Sequence, residues 1–310
     1  MASSSAITLD VLTVANNGAR AEGRGPVFQT RLWGAGSANF APFLTTPAAP
    51  NTVADVVIIP GQGFTKVDDI PEKLEQADVA NAAAHLREAN AAGARIASSC
   101  TGTLLLAKSG LLDGRQATTS WWLAPLFGRL FPEVELDTRA LVCTDGTLTT
   151  AGAAMAQMDL MVGLVARHAG ARIANWCIRT MLLDERRSQT PYMGVAMLAA
   201  RDDQMADVAA WARDRLEAGL GVGDLAGRAA MSARTFARHV HRATGLSPIV
   251  FLQRIRVERA VELLETTRLP FEVIAAKVGY ADPSTLRAVI RRELGIRPSE
   301  VRSRSAPLAA

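Results

Sequence analysis

Hydrophobic and polar positions alternate differently in the two halves of the chain. From Val27 to about Gly152, short β-like runs alternate with stretches that have the period of a helix. Alanine-rich Ala77–Ala92, followed by Gly93, predicts one such helix. This order of elements indicates an α/β domain with a parallel sheet covered on both faces. The runs that predict strands are VFQTRLW (Val27–Trp33), VADVVIIPG (Val53–Gly61), RIASS (Arg95–Ser99) and a hairpin-like pair, LVCTDGTLTTAG (Leu141–Gly152), that turns at Asp145-Gly146.

The first twenty residues fit two structures. The segment AITLDVLTVANNG is compatible with an edge strand, or with a helix that is N-capped by Ser4 or Ser5 and closed by Asn17-Gly18. We favour the helix. Because an α/β sheet usually begins with a strand, one strand would then be missing from the start of this sheet.

The pattern of hydrophobic and polar residues changes after Leu183. The stretch DERRSQTPYM (Asp184–Met193) is polar, contains a proline and has no period, which predicts the start of an interdomain linker. From Asp203 onwards, helical segments follow one another between glycines and prolines, and no segment predicts a strand. We therefore expect an α/β domain over residues 1–185, a linker over 186–202 and an all-α domain over 203–305.

Composition is consistent with two globular domains. The 310 residues are 49% hydrophobic and 21% charged, which is unlike a disordered chain. No uncharged apolar run reaches the roughly 18–20 residues that span a bilayer, and MASSSAITLD lacks the features of a signal peptide. Three scattered cysteines predict neither a disulfide framework nor a zinc site. We expect a cytoplasmic protein without a metal, a cofactor or a membrane partner.

Charge is concentrated at the C-terminal end. From Gly221 onwards there are 15 Lys+Arg against 8 Asp+Glu, a balance of +7, whereas the whole chain is +4 and the first 220 residues are net −3. A basic C-terminal third favours a polyanionic partner, although a solvated basic face would give the same count.

Two stretches of the second half resemble each other, about 50 residues apart. They are VGDLAGRAAMSARTFARHVHRATGLSP (Val222–Pro248) and FEVIAAKVGYADPSTLRAVIRRELGIRP (Phe271–Pro298). Each predicts a short helix, a tight turn and a longer basic helix. The turns are Ala230-Met231-Ser232 and Gly279-Tyr280-Ala281, and Ser232 and Asp282 (or Ser284) are suitable N-caps for the longer helices. A repeated helix-turn-helix is a specific signal for DNA binding.

Over roughly Ala206–Arg304 the chain resembles the DNA-binding domain of the AraC/XylS family. The hallmarks are MSARTFARHVHRATGLSP, FLQRIRVERAVELLETT and IAAKVGYADPSTLRAVIRRELGIRPSEVR. Leu286 and Ile290 stand where the family usually has phenylalanines, and Val240 replaces another aromatic, all in core positions. The resemblance implies that two recognition helices enter successive major grooves and that Phe251–Thr267 is the helix that links them.

Residues at the N-terminal ends of the recognition helices are the candidates for DNA contact. The arginines Arg234, Arg238 and Arg287 could form bidentate contacts to guanine or hold phosphates. For each arginine, a solvated surface charge is the alternative. The full candidate set is Ser232, Ala233, Arg234, Thr235 and Arg238 in the first unit, and Pro283, Ser284, Thr285, Arg287 and Arg291 in the second.

The sharpest feature of the first half is RIASSCTGTLLLAKSGLLDGRQATTSWW (Arg95–Trp122). A buried strand runs directly into Ser98-Ser99-Cys100-Thr101-Gly102 and then into a helix. Small residues two before and two after the centre allow the strand-to-helix turn known as a nucleophile elbow. Cys100 would then stand at the N-terminus of a helix, as nucleophilic cysteines often do.

This region resembles the DJ-1/PfpI superfamily, which is class I glutamine amidotransferase-like and flavodoxin-like in fold. Specifically, about Ser3–Leu183 resembles the version fused ahead of AraC-type domains in GlxA-type regulators. Hydrolytic members have a histidine directly after the cysteine, where this chain has Thr101. Many AraC-fused relatives have a histidine in the later Thr-Thr-His-Trp motif, where this chain has Ser120. The family's acid has no secure counterpart; if the helix interpretation of the N-terminus is wrong, Glu22 becomes the candidate.

A thiol nucleophile needs a base that is itself oriented by a partner. The histidines of this half, His85 and His168, lie on predicted helices far from the elbow in sequence. We therefore expect no catalytic residue and regard Cys100 as a vestigial candidate. The favoured interpretation is that Cys100, Thr101 and Ser120 line a pocket for a small effector; the plainer one is that Cys100 simply packs in a tight turn.

Cys143 and Cys177 lie among apolar neighbours, on a predicted strand and a predicted helix, and we expect both in the core.

The sequence thus predicts a transcription regulator rather than an enzyme. Its α/β domain would sense a small molecule or state and form a homodimer, and its C-terminal domain would bind double-stranded promoter DNA, with RNA polymerase as a further partner. One alternative is a cysteine-dependent amidase- or hydratase-like enzyme fused to a DNA-binding domain. Another is a redox sensor in which oxidation of Cys100 is the signal.

Overall fold

The computed structural model describes residues 2–34, 37–49, 53–64, 66–184, 186, 188–189, 192–199 and 202–304. The chain divides into two compact units, an N-terminal unit of Met1–Gln189 and a C-terminal unit of Thr190–Ala310. Within the described residues, no helix is long and apolar enough to cross a membrane.

The N-terminal unit is built on a four-stranded sheet. The strands are β1 (Val56–Ile59), β2 (Arg95–Ser99), β5 (Val142–Asp145) and β6 (Leu148–Ala151), in the order β1-β2-β6-β5. The first three in that order are parallel, with Ile58 opposite Ala97 and Ala97 opposite Thr149, while β5 forms an antiparallel hairpin with β6. A second, two-stranded parallel sheet pairs β3 (Gln116–Ala117) with β4 (Glu135–Leu136).

Helices cover both faces of the four-stranded sheet, as the alternating pattern predicted. One apolar cluster joins the sheet residue Ala97 to α1, α7 and α8, and another joins its neighbour Ile96 to α3–α6. Successive residues of a strand point to opposite faces, which is why these neighbours belong to different clusters. The helices are α1 (Ala2–Ala21), α2 (Ser37–Phe40), α3 (Ile70–Lys73), α4 (Ala77–Ala91), α5 (Gly102–Lys108), α6 (Ala124–Leu130), α7 (Ala156–Ala169) and α8 (Ala171–Thr180).

The N-terminus forms the favoured helix, but not with the expected ends. Helix α1 begins at Ala2, so Ser4 lies inside it, buried, instead of capping it. The helix also continues past Gly18 to Ala21. Gly18 is needed for packing, because a Cβ there would stand 2.8 Å from the Trp176 ring.

The strand predicted over Val27–Trp33 is wrong. The first residues of this segment bond to the buried side chain of Asn16, which accepts from the N–H groups of Val27 and Phe28 (2.9 Å each) and donates to the Phe28 carbonyl. A single bridge between Thr30 and Pro47 is all that remains of a strand pairing. The Asn16 amide thus takes the place of strand pairing at Val27 and Phe28.

The C-terminal unit is all-α, as predicted. Its core is a single apolar cluster to which helices α9–α16 all contribute. The helix predicted over Phe251–Thr267 forms as α13, which begins three residues earlier and ends one residue earlier, at Thr266. The helices are α9 (Val195–Ala199), α10 (Asp203–Arg213), α11 (Val222–Arg228), α12 (Ala233–Thr244), α13 (Pro248–Thr266), α14 (Phe271–Lys277), α15 (Pro283–Leu294) and α16 (Pro298–Arg304).

The segment predicted as a linker, 186–202, includes ordered pieces of both units. Gln189 is buried in the N-terminal unit, and α9 contributes Val195 and Ala199 to the C-terminal core. Asp202 caps α10 by accepting from the Met205 N–H group at 3.1 Å.

Candidate elbow site and candidate DNA interface

Cys100 stands at the sharp turn between β2 and α5 that the sequence predicted. Its φ of +53° lies in the left-handed region, which is rare for a residue other than glycine. Two residues later Gly102 packs against the loop after β1, where a Cβ would stand 2.6 Å from the Ile59 carbonyl oxygen and 2.7 Å from that of Pro60. Only glycine fits there, so the turn holds Cys100 in a strained but well-supported position.

The backbone N–H group, the carbonyl and the thiol of Cys100 each take part in a hydrogen bond. Its N–H group donates to the carbonyls of Ala151 (3.0 Å) and Gly152 (2.7 Å), and its carbonyl accepts from the Thr119 hydroxyl at 2.8 Å. The Ser120 hydroxyl donates to the Cys100 thiol sulfur at 3.1 Å. The structure therefore brings together the predicted pocket residues Cys100 and Ser120, both buried.

Thr101, the third predicted pocket residue, has a different polar partner. Its hydroxyl accepts from the N–H group of Gln62 at 2.8 Å and so fixes the loop after β1. The neighbouring Ser98 and Thr103 hydroxyls bond to each other at 3.0 Å. The Ser99 hydroxyl is buried and has no hydrogen-bond partner among the described residues, which leaves one polar group beside Cys100 unsatisfied.

The histidines of the N-terminal unit have other surroundings. His85 stacks on Trp33 with ring centroids 4.6 Å apart, and His168 lies exposed in the last turn of α7. The polar side chain described next to the Cys100 sulfur is the Ser120 hydroxyl, which cannot act as a base at neutral pH.

Glu22 follows the end of α1 and pairs with Arg172 at 2.7 Å and with Arg24 at 3.8 Å. Because the N-terminus is a helix, the condition under which Glu22 would become the candidate acid is not met.

The other two cysteines differ from each other. Cys177 is fully buried in α8, and burial raises the pKa of its thiol to about 11. Cys143 is only half-buried, because it lies on the edge strand β5, so the expectation that it belongs to the core is wrong. Burial and the nearby carboxylates of Asp137 and Asp145 raise the pKa of its thiol.

In the first helix-turn-helix, α11 and α12 are joined by a turn at Ala230, whose φ is +54°. The Ser232 side chain caps α12 by accepting from the Thr235 N–H group at 3.2 Å. The candidate residues of this unit are all exposed: Ser232, Ala233, Arg234, Thr235 and Arg238.

In the second helix-turn-helix, α14 and α15 are joined by a turn at Gly279, whose φ is +78°. Asp282 caps α15 by accepting from the Ser284 N–H group at 2.9 Å and from the hydroxyls of Ser284 and Thr285. These hydrogen bonds lower the pKa of Asp282 to about 2. Of this unit's candidates, Ser284, Thr285, Arg287 and Arg291 are exposed and Pro283 is half-buried.

The candidate arginines differ in the side-chain contacts that they form. Arg287 holds its guanidinium 5.0 Å from the centre of the Phe271 ring, a cation–π contact. In the part of the chain that the structure describes, Arg234, Arg238 and Arg291 form no ion pair. Arginines without a carboxylate partner are available for phosphates or base edges.

The opposite face of each recognition helix is in the core. Phe236 and Val240 in α12, and Leu286 and Ile290 in α15, are fully buried. The apolar residues that replace the family's aromatics therefore occupy core positions, as expected.

A buried ion pair, which sequence reasoning missed, joins α13 to α15. Arg254 is 5% exposed and places its guanidinium 3.2 Å from the Glu293 carboxylate. Gln253, on the same side of α13, donates to the other oxygen of that carboxylate at 3.0 Å. The long helix thus sets the position of the second recognition helix. No local pattern in the sequence marks a pair formed by residues 39 positions apart.

Two family models match the chain. Residues 225–304 match a helix-turn-helix domain of AraC type, and residues 37–167 match the DJ-1/PfpI family. The matched segments fall in the C-terminal and N-terminal units respectively.

Curated relatives share this arrangement of domains. The HTH-type transcriptional regulator GbdR of Pseudomonas aeruginosa (strain UCBPP-PA14) is 26% identical over 213 residues, which are 68% of this chain and 58% of GbdR. The HTH-type transcriptional regulator GlxA of Rhizobium meliloti (strain 1021) is 27% identical over 247 residues, 76% of this chain and 73% of GlxA. The chain thus spans less than two thirds of the length of GbdR.

Among solved structures, the DNA-binding domain of AdpA, a global transcriptional factor crystallised with a target DNA, is 39% identical to the matched part of this chain. The match covers 32% of this chain and 89% of that domain, with a TM-score of 0.30.

Proposed function

We propose that this chain, which joins a DJ-1/PfpI domain to an AraC-type helix-turn-helix domain, is a sequence-specific DNA-binding transcription regulator. The observation that carries the proposal is the repeated, N-capped helix with exposed arginines on one face and a fully buried apolar face on the other. Such a helix can enter a major groove while its core face holds its orientation. The regulator would act in the cytoplasm, where promoter DNA and RNA polymerase are its partners.

The two recognition helices differ in how their arginines could contact DNA. In α12, Arg234 and Arg238 have no ion pair within the described residues and could form bidentate bonds to guanine. In α15, the stacked Arg287 is held close to α14, and Arg291 lies one turn further along the helix. The exposed hydroxyls Ser232, Thr235, Ser284 and Thr285, with Ala233 and Pro283 beside them, would contact phosphates or base edges near the helix N-termini.

Fluorescence anisotropy with DNA fragments that flank the chain's own gene tests this proposal, at 50 mM and 200 mM salt. Arg234→Ala and Arg287→Ala are compared with Arg179→Ala, which removes the same charge from an exposed position in the last turn of α8. We expect each recognition-helix variant to weaken binding about five- to 150-fold, the loss of one good base contact, and the control to change little.

Equal binding to scrambled DNA, with all three variants alike, would contradict sequence-specific recognition. A loss that is uniform across sequences and lowers the salt slope by about one would instead assign an arginine to a phosphate.

We further propose that the N-terminal unit senses a small effector at the elbow, in a pocket that includes Cys100, Thr101 and Ser120. The buried Ser99 hydroxyl supports this, because a bound polar group could satisfy it. Thermal unfolding with a panel of small amides and dicarbonyls tests the pocket. A ligand present at a hundred times its Kd should stabilise the protein by about 2.7 kcal/mol, and less in Ser120→Val. Equal stabilisation in that variant would place the ligand elsewhere.

A homodimer would present four recognition helices and so extend the DNA site. Sedimentation of the full chain tests this: we expect the mass of a dimer, and a monomer at micromolar concentration would rule out the proposal.

A cysteine-dependent enzyme is the second candidate, favoured by the left-handed conformation of Cys100 at a strand-to-helix turn. Against it stands the neighbour of the sulfur, the Ser120 hydroxyl rather than a histidine. Turnover of a small amide, isonitrile or dicarbonyl that is lost in Cys100→Ala would establish the enzyme. We expect none, which is consistent with relatives that are named as transcriptional regulators.

A further inference from the structure

Gln189, the last residue of the N-terminal unit, has its side chain sealed inside that unit. The residue is 2% exposed, and its backbone N–H group donates to the Arg139 carbonyl at 3.0 Å. Its side-chain oxygen accepts from the Ala153 N–H group at 3.0 Å. Its side-chain nitrogen has four acceptors within reach: the Thr119 carbonyl (2.9 Å), the Thr138 and Ala140 carbonyls (3.1 Å each) and the Thr118 hydroxyl (3.2 Å).

The space for this amide exists because residue 152 is a glycine. A Cβ at Gly152 would stand 2.1–2.5 Å from the three terminal atoms of the Gln189 side chain, closer than any real contact. The site is also selective for an amide, because its oxygen meets a donor while its nitrogen meets only acceptors. A carboxylate would face the same acceptors without a proton to donate.

The peptides that hold Gln189 are the ones that hold Cys100. Thr119 gives its carbonyl to the Gln189 amide and its hydroxyl to the Cys100 carbonyl. Gly152, which makes room for Gln189, accepts the Cys100 N–H group at 2.7 Å. Ser120, next to Thr119, donates to the Cys100 sulfur. Thr119 and Gly152 thus each contact both Cys100 and Gln189.

We propose that Gln189 is a positioning residue that couples the elbow to the start of the interdomain connection. A small polar effector that displaces Ser120 from the Cys100 sulfur would move the adjoining Thr119 peptide, and with it the principal acceptor of the Gln189 amide. Gln189 is the last residue of the N-terminal unit, so release of its amide would loosen the point at which the chain leaves that unit. This proposal rests on the proposed function, in which the elbow is the sensing site.

A coupling free energy is shared by both sites, so if a change at the elbow loosens Gln189, a change at Gln189 must also loosen the elbow. A side chain that served only local stability would disturb its own surroundings and nothing beyond them. Reciprocity therefore separates the two roles.

Residue-resolved hydrogen exchange on the full chain measures both directions. In Thr119→Val, which removes the hydroxyl but keeps the backbone carbonyl, we expect the backbone amide of Gln189 to exchange about five- to 150-fold faster. In Gln189→Met, which keeps the side-chain length, we expect the backbone amide of Cys100 to exchange at least about fivefold faster. The control is Thr144→Val, which removes a hydroxyl whose hydrogen-bond partner among the described residues is Thr149, on the same β5–β6 hairpin.

Acceleration confined to the neighbourhood of each substitution would overturn the proposal. Buried amides of α7, such as that of Leu160, report whether a variant stays folded. If Gln189→Met loses that protection, Gln189→Asn replaces it, because it keeps the amide but shortens its reach. Unchanged exchange at Cys100 in that folded variant would equally refute the coupling.

A DNA-binding measurement distinguishes a failure of the coupling from a failure of the proposed function. Gln189→Met should alter the affinity of the full chain for a gene-flanking fragment at least about fivefold, whereas Thr144→Val should not. If the unaltered protein binds no DNA, the proposed function fails while the exchange results still decide the coupling. If it binds DNA and the two amides exchange independently, the coupling fails and the function stands.

Discussion

Removing the arginine of the buried pair between α13 and α15 should destabilise the C-terminal unit strongly. Arg254→Met removes the buried guanidinium from the Glu293 carboxylate, which is 14% exposed and keeps the exposed Arg292 guanidinium at 3.3 Å. Breaking a buried pair on one side costs about 3–5 kcal/mol. Because Arg292 and Gln253 still contact Glu293, at 3.3 Å and 3.0 Å, and because the carboxylate is partly solvated, we expect the low end, about 3 kcal/mol.

The matched control lies on the same helix. Arg259 pairs with Glu262 at 2.8 Å, but its side chain is 36% exposed and the pair spans a single helical turn. Pairs of this kind contribute about 0.5 kcal/mol or less. Arg259→Met therefore makes the same chemical change on α13 with a small expected effect.

Urea unfolding of protein labelled with 5-fluorotryptophan resolves the two units. Trp211 is the one tryptophan among residues 190–310, and its fluorine resonance reports on the C-terminal core against which it packs. A loss of about 3 kcal/mol lowers the urea midpoint by roughly 1–3 M. A shift in Arg254→Met that is no larger than that of Arg259→Met would refute the reasoning.

The double variant Arg254→Met with Glu293→Met gives a further check. An apolar pair of similar volume often replaces a buried ion pair without loss, so stability should return most of the way. If the double variant is as unstable as the sum of its single variants, the cost belongs to packing rather than to a stranded charge.

Further predictions concern turns and caps. Gly279→Ala should destabilise the protein by roughly 2–5 kcal/mol, because a φ of +78° is strained for alanine and a Cβ would stand 2.4 Å from the Leu216 carbonyl oxygen. Ala230→Gly, at a φ of +54°, should instead be neutral or stabilise the protein by up to about 1 kcal/mol. Chemical unfolding measures both free energies. The folded-state pKa of Asp282 is lowered to about 2 from an ordinary 3.8, so its contribution to the free energy of unfolding is present above pH 3.8 and is lost as the pH falls through 2. Asp282→Asn should remove this pH dependence when stability is measured over a series of pH values. Gly102→Ala should abolish the elbow, since two backbone carbonyls occupy the place of its Cβ, and circular dichroism of the purified variant should show a lower melting temperature.

The helix-turn-helix repeat could be predicted because its determinants are local. Ser232 and Asp282 cap the helices that directly follow them, and the buried face of each recognition helix repeats with the helical period. The elbow was predictable for the same reason, since the small residues that permit the turn lie within two positions of Cys100.

What could not be predicted depends on distant partners. The segment Val27–Trp33 has the alternation of a strand, but Asn16, eleven residues before Val27, accepts the backbone N–H groups of Val27 and Phe28. Asn17-Gly18 has the pattern of a helix end, but the missing side chain of Gly18 allows packing against Trp176 inside α1. Gln189 lies in a polar stretch without a period, and only the folded chain shows that its amide is enclosed.

A hydroxyl-radical footprint on a bound gene-flanking fragment tests most directly that the two recognition helices read successive major grooves. We predict two protected segments centred about 10 base pairs apart on one face of the duplex. Arg234→Ala should weaken protection of one segment and Arg287→Ala that of the other. A single protected segment lost equally in both variants, or protection without a helical repeat, would contradict the account.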